Sequence, residues 1–157
     1  MFPKTAYVCG PLTELENEKR MSIKRFYQKI GDACEETTGS RAFVPHEHFD
    51  PIKHSHFTPR QVDETERDQV CNKTSILIVV AVAPSWGGGI EVEMANQNNV
   101  PVILLCERKK LRAKQISRLL RGNPAVKVTI EYATEVEAIL ELKKAICSLI
   151  SATKILV

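Results

Sequence analysis

The chain has 157 residues, of which 43% are hydrophobic, so it is long enough for one domain, residues 1–157, with a substantial core. Its formal net charge of +3 is too small to indicate a nucleic-acid-binding protein by itself. Five cysteines without a Cys-x-x-Cys pair argue against a disulfide framework and favour reduced thiols in a cytoplasmic protein. Because no segment approaches the roughly 20 apolar residues of a membrane span, we expect a soluble protein.

The first half of the chain predicts two strands and two helices. Residues 5–9 read as a strand that Gly10 and Pro11 end. Thr13 and Glu16 have the spacing of a capping box and predict the start of a helix. Its apolar face would carry Ile23, Phe26, Tyr27, Ile30 and Cys34. A short second strand over 42–44, a polar loop over 45–58 and a helix over 61–72 follow.

The second half continues the alternation. Residues 76–82 form a short, β-branched apolar run, which is typical of a strand covered on both faces of a parallel sheet. Two more strands are predicted over 100–105 and 126–130. The closing helix over 134–150 has its apolar positions on one face, at Ile139, Leu142, Ile146, Leu149 and Ile150.

This alternation predicts an α/β fold, a flavodoxin/Rossmann-like three-layer sandwich. Its five-stranded parallel sheet would have the order 2-1-3-4-5. Ligands of such sheets bind beyond the carboxyl ends of the strands, where the strand order reverses. The turn after the first strand would therefore face residues 85–91.

A glycine-rich segment follows the central strand. Gly87, Gly88 and Gly89 would let the backbone approach a ligand closely, and the amides of a helix beginning near Ile90 would favour an anion. The segment is neither a P-loop nor a G-x-G-x-x-G dinucleotide site. ATP and NAD chemistry are therefore not expected.

Two carboxylates follow the glycines. Glu91 and Glu93 project about 200° apart on a helix, so at most one faces the crevice. Acidic residues often do no more than complement a helix N-terminus. Beside a ribose, however, a carboxylate can attack the anomeric carbon and cleave an N-glycosidic bond without a metal or cofactor.

Residues 7–12, 44–48 and 83–95 resemble the nucleoside 2-deoxyribosyltransferase superfamily, most closely its 2'-deoxynucleoside 5'-phosphate N-hydrolases. The Pro-Ser-x-Gly-x-Gly-x-Glu loop of that branch is matched by Pro84, Ser85, Gly87, Gly89 and Glu91. A later Ser-x-x-x-Arg-Gly motif is matched by residues 117–122.

The resemblance implies roles for the matching residues. Glu91 would be the nucleophile, and Ser85, Gly87 and Gly89 would bind the 5'-phosphate. Ser117 would reach the phosphate held by the partner subunit of a homodimer. Further substrate contacts are expected from Tyr7, Gly10, Pro11, His48 and Trp86. For Trp86, simple packing is the alternative.

One family aspartate, in the helix before the central strand, has no gap-free match here. Asp68 is the nearest candidate for this catalytic role and Asp63 is the alternative. The turn at residues 10–12 is more like the transferase branch. We therefore expect a hydrolase that releases the base and deoxyribose 5-phosphate, with base exchange as the second reading and non-catalytic nucleotide binding as the third.

Two other clusters of residues allow different functions. All four histidines lie within residues 46–56, where H-x-H spacing can supply metal ligands. The segment is a polar loop that contains Pro51, so we expect His48 to contact substrate and no metal to be bound. The basic run over 108–114 lacks the interleaved aromatic residues of a nucleic-acid site, so we expect a solvated surface that steers phosphate and no polymer partner.

Overall fold

The computed structural model describes residues 4–154. Residues 1–3 and 155–157 of the predicted domain lie outside the described residues. The elements are, in chain order, β1 (Thr5–Cys9), α1 (Asn17–Thr38), α2 (Pro45–Phe49), α3 (Pro59–Lys73), β2 (Thr74–Ala81), α4 (Trp86–Gln97), β3 (Val102–Glu107), α5 (Arg108–Arg112), α6 (Arg118–Arg121), β4 (Val126–Tyr132) and α7 (Glu135–Lys154).

The described part of the chain contains one parallel sheet of four strands in the order β1-β2-β3-β4. The prediction of five strands is wrong. The predicted strand over 42–44 does lie beside β1, but only as a single bridge between Phe43 and Tyr7. It makes two backbone hydrogen bonds, from Val8 N to Phe43 O (2.9 Å) and from Phe43 N to Ala6 O (2.8 Å). Pro45 then begins α2, and proline has no N–H with which to extend the pairing.

Helices cover both faces of the sheet, as the α/β prediction requires. One core cluster joins β-strand residues such as Val8 and Ile78 to residues of α1 and α7. The other joins Tyr7, Cys9 and Leu77 to residues of α3 and α4. Because successive side chains of a strand alternate between faces, Tyr7 and Cys9 both point towards α4.

The long helices bury the faces that the sequence predicts, but α1 begins differently. All five predicted apolar residues of α1 are buried, and those of α7 are buried or packed against the same core cluster. The predicted capping box at Thr13 and Glu16 is wrong. Glu16 precedes α1 without a side-chain cap hydrogen bond. Instead, the Arg20 guanidinium donates to the carbonyls of Leu12, Thr13 and Leu15 at 3.2, 3.4 and 2.7 Å.

The glycine segment lies inside a helix. We predicted a helix start near Ile90, but α4 begins at Trp86 and Ser85 is its N-cap. The Ser85 hydroxyl accepts a hydrogen bond from Gly88 N at 3.1 Å, which satisfies one amide of the first turn. The helix therefore begins just before the glycine run and includes all three glycines. No helix within residues 4–154 combines the length and the apolar character needed to cross a membrane.

Candidate active site

A cavity of about 550 Å³ opens at the carboxyl ends of β1 and β2, and Glu91 lines it. We call it the Glu91 cavity. Its wall is formed by the turn after β1, the segment from Pro45 to Pro59, one face of α3 and the first turns of α4. Glu91 is only 8% exposed. A buried carboxylate at a cavity wall needs hydrogen bonds to remain charged.

Tyr7 supplies one of these hydrogen bonds. Its side chain is fully buried, and its hydroxyl donates to Glu91 Oε1. Burial raises the pKa of Glu91, while hydrogen bonds from the Cys9 thiol and the Tyr7 hydroxyl act in the opposite direction. The pKa of Tyr7 is itself raised, first by burial and then by Glu91, so Tyr7 keeps its proton and remains a donor.

A second carboxyl group, Glu66 of α3, lines the same cavity. Burial, followed by the charges of Glu91 and Asp63, raises the pKa of Glu66 to about 7. The charge of Glu91 acts on Glu66, so the two carboxyl groups are close enough to influence each other. Such a pair can divide the roles of acid and nucleophile at neutral pH.

Sequence reasoning selected the neighbouring Asp68 and missed Glu66. Asp68 does not line the cavity; its carboxylate pairs with Lys73 at 2.5 Å and accepts from Asn72 at 2.8 Å. The alternative, Asp63, lines the cavity and pairs with Arg67 at 2.9 Å. Glu66 could have been found from its helical phase, because it lies four residues after Val62 and four before the buried Val70.

The three glycines of α4 differ in their surroundings. A Cβ on Gly88 would lie 3.3 Å from Cys9 Sγ and 3.3 Å from Ser85 Oγ, so this glycine allows close packing. A Cβ on Gly87 or Gly89 would meet no described atom within 4 Å. Gly87 lines the Glu91 cavity and Gly89 lines the larger cavity described next. The exposed N-terminal turn of α4 thus lies between two cavities.

The larger cavity, of about 1460 Å³, lies beyond the Ser85 turn and is rich in cations. We call it the basic cavity, and the cationic residues that line it are Lys110, Arg112, Lys114, Arg118 and Arg121. Ser117 lines it as well, and its hydroxyl caps α6 by accepting from Leu120 N at 3.3 Å. Gly10, Ser85 and Gly88 line both cavities.

The other predicted contacts divide into two groups. Gly10 and Pro11 lie at the cavities, where the Tyr27 hydroxyl donates to Pro11 O at 2.7 Å. A Cβ on Gly10 would lie 2.3 Å from that hydroxyl, so packing alone requires glycine there. Trp86 is 89% exposed and lines neither cavity. His48 is also exposed, outside both cavities, and stacks on Phe43 with ring centroids 4.4 Å apart.

The histidine segment forms one wall of the Glu91 cavity. Buried Asp50 fixes this wall by pairing with Lys24 and accepting from the amides of Ile52 and Lys53. Burial acts to raise the pKa of Asp50, but these hydrogen bonds outweigh it and hold that pKa below its usual range. The wall presents His46 and His54 to the cavity. Over residues 4–154, no group of three or more His, Cys, Asp or Glu side chains is arranged to hold a metal ion.

Comparison with known proteins supports the fold. No family model matches the sequence, and no curated protein matches it significantly. Among solved structures, the CMP N-glycosidase BcmB from Clostridium botulinum is similar with a TM-score of 0.65 and 19% identity, over 90% of this chain and 99% of that one. A conserved protein from Enterococcus faecalis V583 is similar with a TM-score of 0.66 and 14% identity, over 92% and 99%.

The solution structure of BlsM is similar as well, with a TM-score of 0.67 and 16% identity, over 97% of this chain and 94% of that one. At identities below 20%, these likenesses show a shared fold. One of the three structures with this fold is that of an N-glycosidase.

Proposed function

We propose that this protein hydrolyses the N-glycosidic bond of 2'-deoxynucleoside 5'-monophosphates, with Glu91 as the nucleophile. The observation that carries the proposal is the pairing of buried Glu91 with the Tyr7 hydroxyl at the wall of a cavity that Glu66 also lines. The fold shared with a CMP N-glycosidase supports cleavage of an N-glycosidic bond. The resemblance of residues 83–95 to the N-hydrolases supports the same assignment.

In the first step, a Glu91 oxygen would form a bond to the anomeric carbon as the carbon–nitrogen bond breaks. The bonding electrons leave with the base, and a protonated Glu66 can supply the proton that the base needs. A pKa of about 7 keeps that proton available near neutral pH. The Tyr7 hydrogen bond holds one Glu91 oxygen in place, so the other oxygen is free to attack.

In the second step, water would attack the anomeric carbon of the glycosyl ester. Glu66, now deprotonated, takes the proton from this water, and the Glu91 carboxylate leaves. The products are the free base and deoxyribose 5-phosphate, and both carboxyl groups return to their starting states. Neither step draws on a metal or cofactor.

The arrangement of the two cavities supports a phosphorylated substrate. The Glu91 cavity carries the carboxyl groups of Glu14, Asp63, Glu66 and Glu91, which disfavour a phosphate. The Ser85 turn, with the N-terminus of α4, borders both this cavity and the basic cavity. A nucleotide lying across this turn would place its base and sugar near Glu91 and its phosphate towards the cations.

The test is a chromatographic assay of free-base release from deoxynucleoside monophosphates, the matching ribonucleotides and the unphosphorylated deoxynucleosides. We expect release from the deoxynucleoside monophosphates. Release from the unphosphorylated nucleosides at the same kcat/KM would contradict the role given to phosphate. Release from the ribonucleotides alone would contradict the proposed sugar.

The turn at residues 10–12, which resembles the transferase branch, favours a second candidate function, exchange of one base for another. The same glycosyl ester would then be captured by a second base. Adding a competing free base to each reaction distinguishes the two functions, because only exchange yields a new nucleotide or nucleoside. Thermal stabilisation by nucleotides without base release would instead indicate a binding protein.

A further inference from the structure

His46 is buried in the wall of the Glu91 cavity without a hydrogen-bond partner. The residue is 7% exposed, and neither Nδ1 nor Nε2 has a partner among the described residues. Burial, the largest influence, lowers the pKa of His46, so its ring is neutral at pH 7, with one N–H donor and one acceptor nitrogen. Leaving both buried is costly unless another molecule bonds to them.

The surroundings of His46 indicate what that molecule would be. Aromatic side chains lining the same cavity are Tyr27, Phe49 and Phe57, and the His46 and Tyr27 ring centroids are 6.1 Å apart. Flat apolar walls with a few convergent polar groups suit a planar heteroaromatic ligand. Under the proposed function, the sugar and phosphate lie closer to Glu91 and the Ser85 turn, so the aromatic part of the cavity is left for the base.

Other charged groups act on the His46 ring without bonding to it. The charges of Glu47 and Asp50 favour its protonation, while those of Lys24 and Lys53 oppose it. Asp50 is engaged with Lys24, and Glu47 accepts from Arg41 at 2.7 Å. Lys24, Asp50 and Glu47 therefore have partners of their own, and the His46 nitrogens remain available to a ligand.

We propose that His46 hydrogen-bonds the nucleobase of the substrate and determines which base the cavity accepts. This inference rests on the proposed function, since it assigns the recognition of the base within the same site. A neutral imidazole can donate to a ring nitrogen or carbonyl, or accept from an amino group. Bases that differ at one such group would be distinguished by this contact.

The first test uses ¹⁵N-histidine-labelled protein and the free bases cytosine, uracil, adenine and hypoxanthine. We expect the imidazole ¹⁵N resonances of His46 to move when the preferred base is added. These resonances are assigned by their absence in His46→Phe. The measurement is independent of turnover, so it remains informative if the protein cleaves no nucleotide.

The second test compares base selectivity among variants. His46→Phe keeps a planar ring of similar size and removes both nitrogens. We expect it to reduce the ratio of kcat/KM between dCMP and dUMP, or between dAMP and dIMP, by about 10- to 100-fold. His46→Asn and His46→Gln each place an amide near one of the two ring nitrogens, so partial rescue by one of them identifies the nitrogen used.

Two controls separate a contact with the base from a structural role. His56→Phe changes an exposed histidine of the same segment, which does not line the cavity, and we expect it to leave selectivity unchanged. The melting temperature of His46→Phe should stay the same or rise by about 2–4 °C, because the ring no longer buries unpartnered nitrogens. Loss of stability with unchanged selectivity would contradict the proposal.

Failure of this proposal and failure of the proposed function give different results. Base release by the wild type, with unchanged selectivity in His46→Phe and no ¹⁵N shift, would overturn the role of His46 alone. A ¹⁵N shift on adding a base, without base release from any nucleotide, would overturn the hydrolase and support the contact between His46 and the base.

Discussion

The two cavities that meet at the Ser85 turn have opposite charge. The Glu91 cavity is lined by four carboxyl groups and, within residues 4–154, by no lysine or arginine. The basic cavity is lined by five lysines and arginines, and Glu93 is the one carboxylate among its described lining residues. Gly10, Ser85 and Gly88 border both. The turn therefore separates a cavity rich in carboxyl groups from a cavity rich in cations.

This separation has a physical reason. A cation beside Glu66 would lower the pKa of its carboxyl group and remove the proton that a leaving base needs. A carboxylate beside a phosphate would weaken phosphate binding by repulsion. Placing the cations on the far side of Ser85 avoids both effects. The predictions below test whether the two cavities act as these charges suggest.

The largest effect is expected from Glu91→Gln. The amide has nearly the same shape but is a poor nucleophile, so kcat for base release should fall by about 1,000-fold or more. The fold should persist, because glutamine can still accept a hydrogen bond from Tyr7. The matched control is Glu93→Gln, two residues along α4. Glu93 is exposed and contacts Asn96 and Asn123 at 3.3 and 3.1 Å.

We expect Glu93→Gln to retain most of the activity. Equal losses in the two variants, measured by single-turnover base release, would remove Glu91 from its proposed role. Undiminished activity in Glu91→Gln would have the same consequence.

The next largest effect is expected from Glu66→Gln. Loss of the acid should reduce kcat by about 100-fold. Wild-type kcat/KM should fall as pH rises through about 7, where Glu66 loses its proton, and this alkaline decline should be absent in the variant. Asp68→Asn is the control on the other face of α3, and we expect it to keep the wild-type pH profile. An unaltered profile in Glu66→Gln would contradict the assignment of the acid.

The same carboxyl group affects stability. Its pKa is raised from 4.5 to about 7 on folding, so the folded protein binds this proton more tightly than the unfolded chain. The contribution to stability is therefore complete below about pH 4.5 and is lost as pH rises towards 7. Thermal unfolding of wild type and Glu66→Gln across this range should show a smaller decline in the variant.

Much of the fold could be predicted from the sequence, because strong local patterns determine it. The apolar run that forms β2 is buried, and so are the apolar faces of α1 and α7. These patterns can be recognised from the local sequence, because the spacing of apolar residues reflects which side chains are buried. The segment over 42–44 is also apolar, but Pro45 ends its pairing after one bridge. The composition of a segment indicates that it can adopt an extended conformation. It does not determine how many hydrogen bonds the segment forms with a neighbouring strand.

The candidate site was harder to predict, since it depends on which residues meet across elements. The loop motif contains Glu91 and Ser85, and both line the cavity because they follow β2 closely in the chain. Glu66 joins them through the packing of α3 against α4, and His46 lies beside Tyr27 of α1; local spacing encodes neither contact. Asp68 does not line the cavity that Glu66 lines, because two residues on a helix turn a side chain by about 200°.

A moderate effect is expected from Tyr7→Phe, which removes the hydroxyl and keeps the ring that stacks on Phe43 at 5.3 Å. Without this donor the charged form of Glu91 is less stable, so the pKa of Glu91 should rise further. The acidic limb of kcat/KM should then move to higher pH, and kcat at pH 7 should fall by about 10-fold. A uniform loss at all pH values would indicate that Tyr7 only supports packing.

The smallest effect is expected from Arg121→Gln, which removes one of the five cations of the basic cavity. If that cavity attracts the phosphate, KM for a deoxynucleoside monophosphate should rise by about threefold to tenfold, with kcat unchanged. The matching unphosphorylated nucleoside should be unaffected. Lys19→Gln, on the exposed surface of α1, is the control for general charge effects. An equal change in KM for both substrates would mean that the basic cavity does not recognise phosphate.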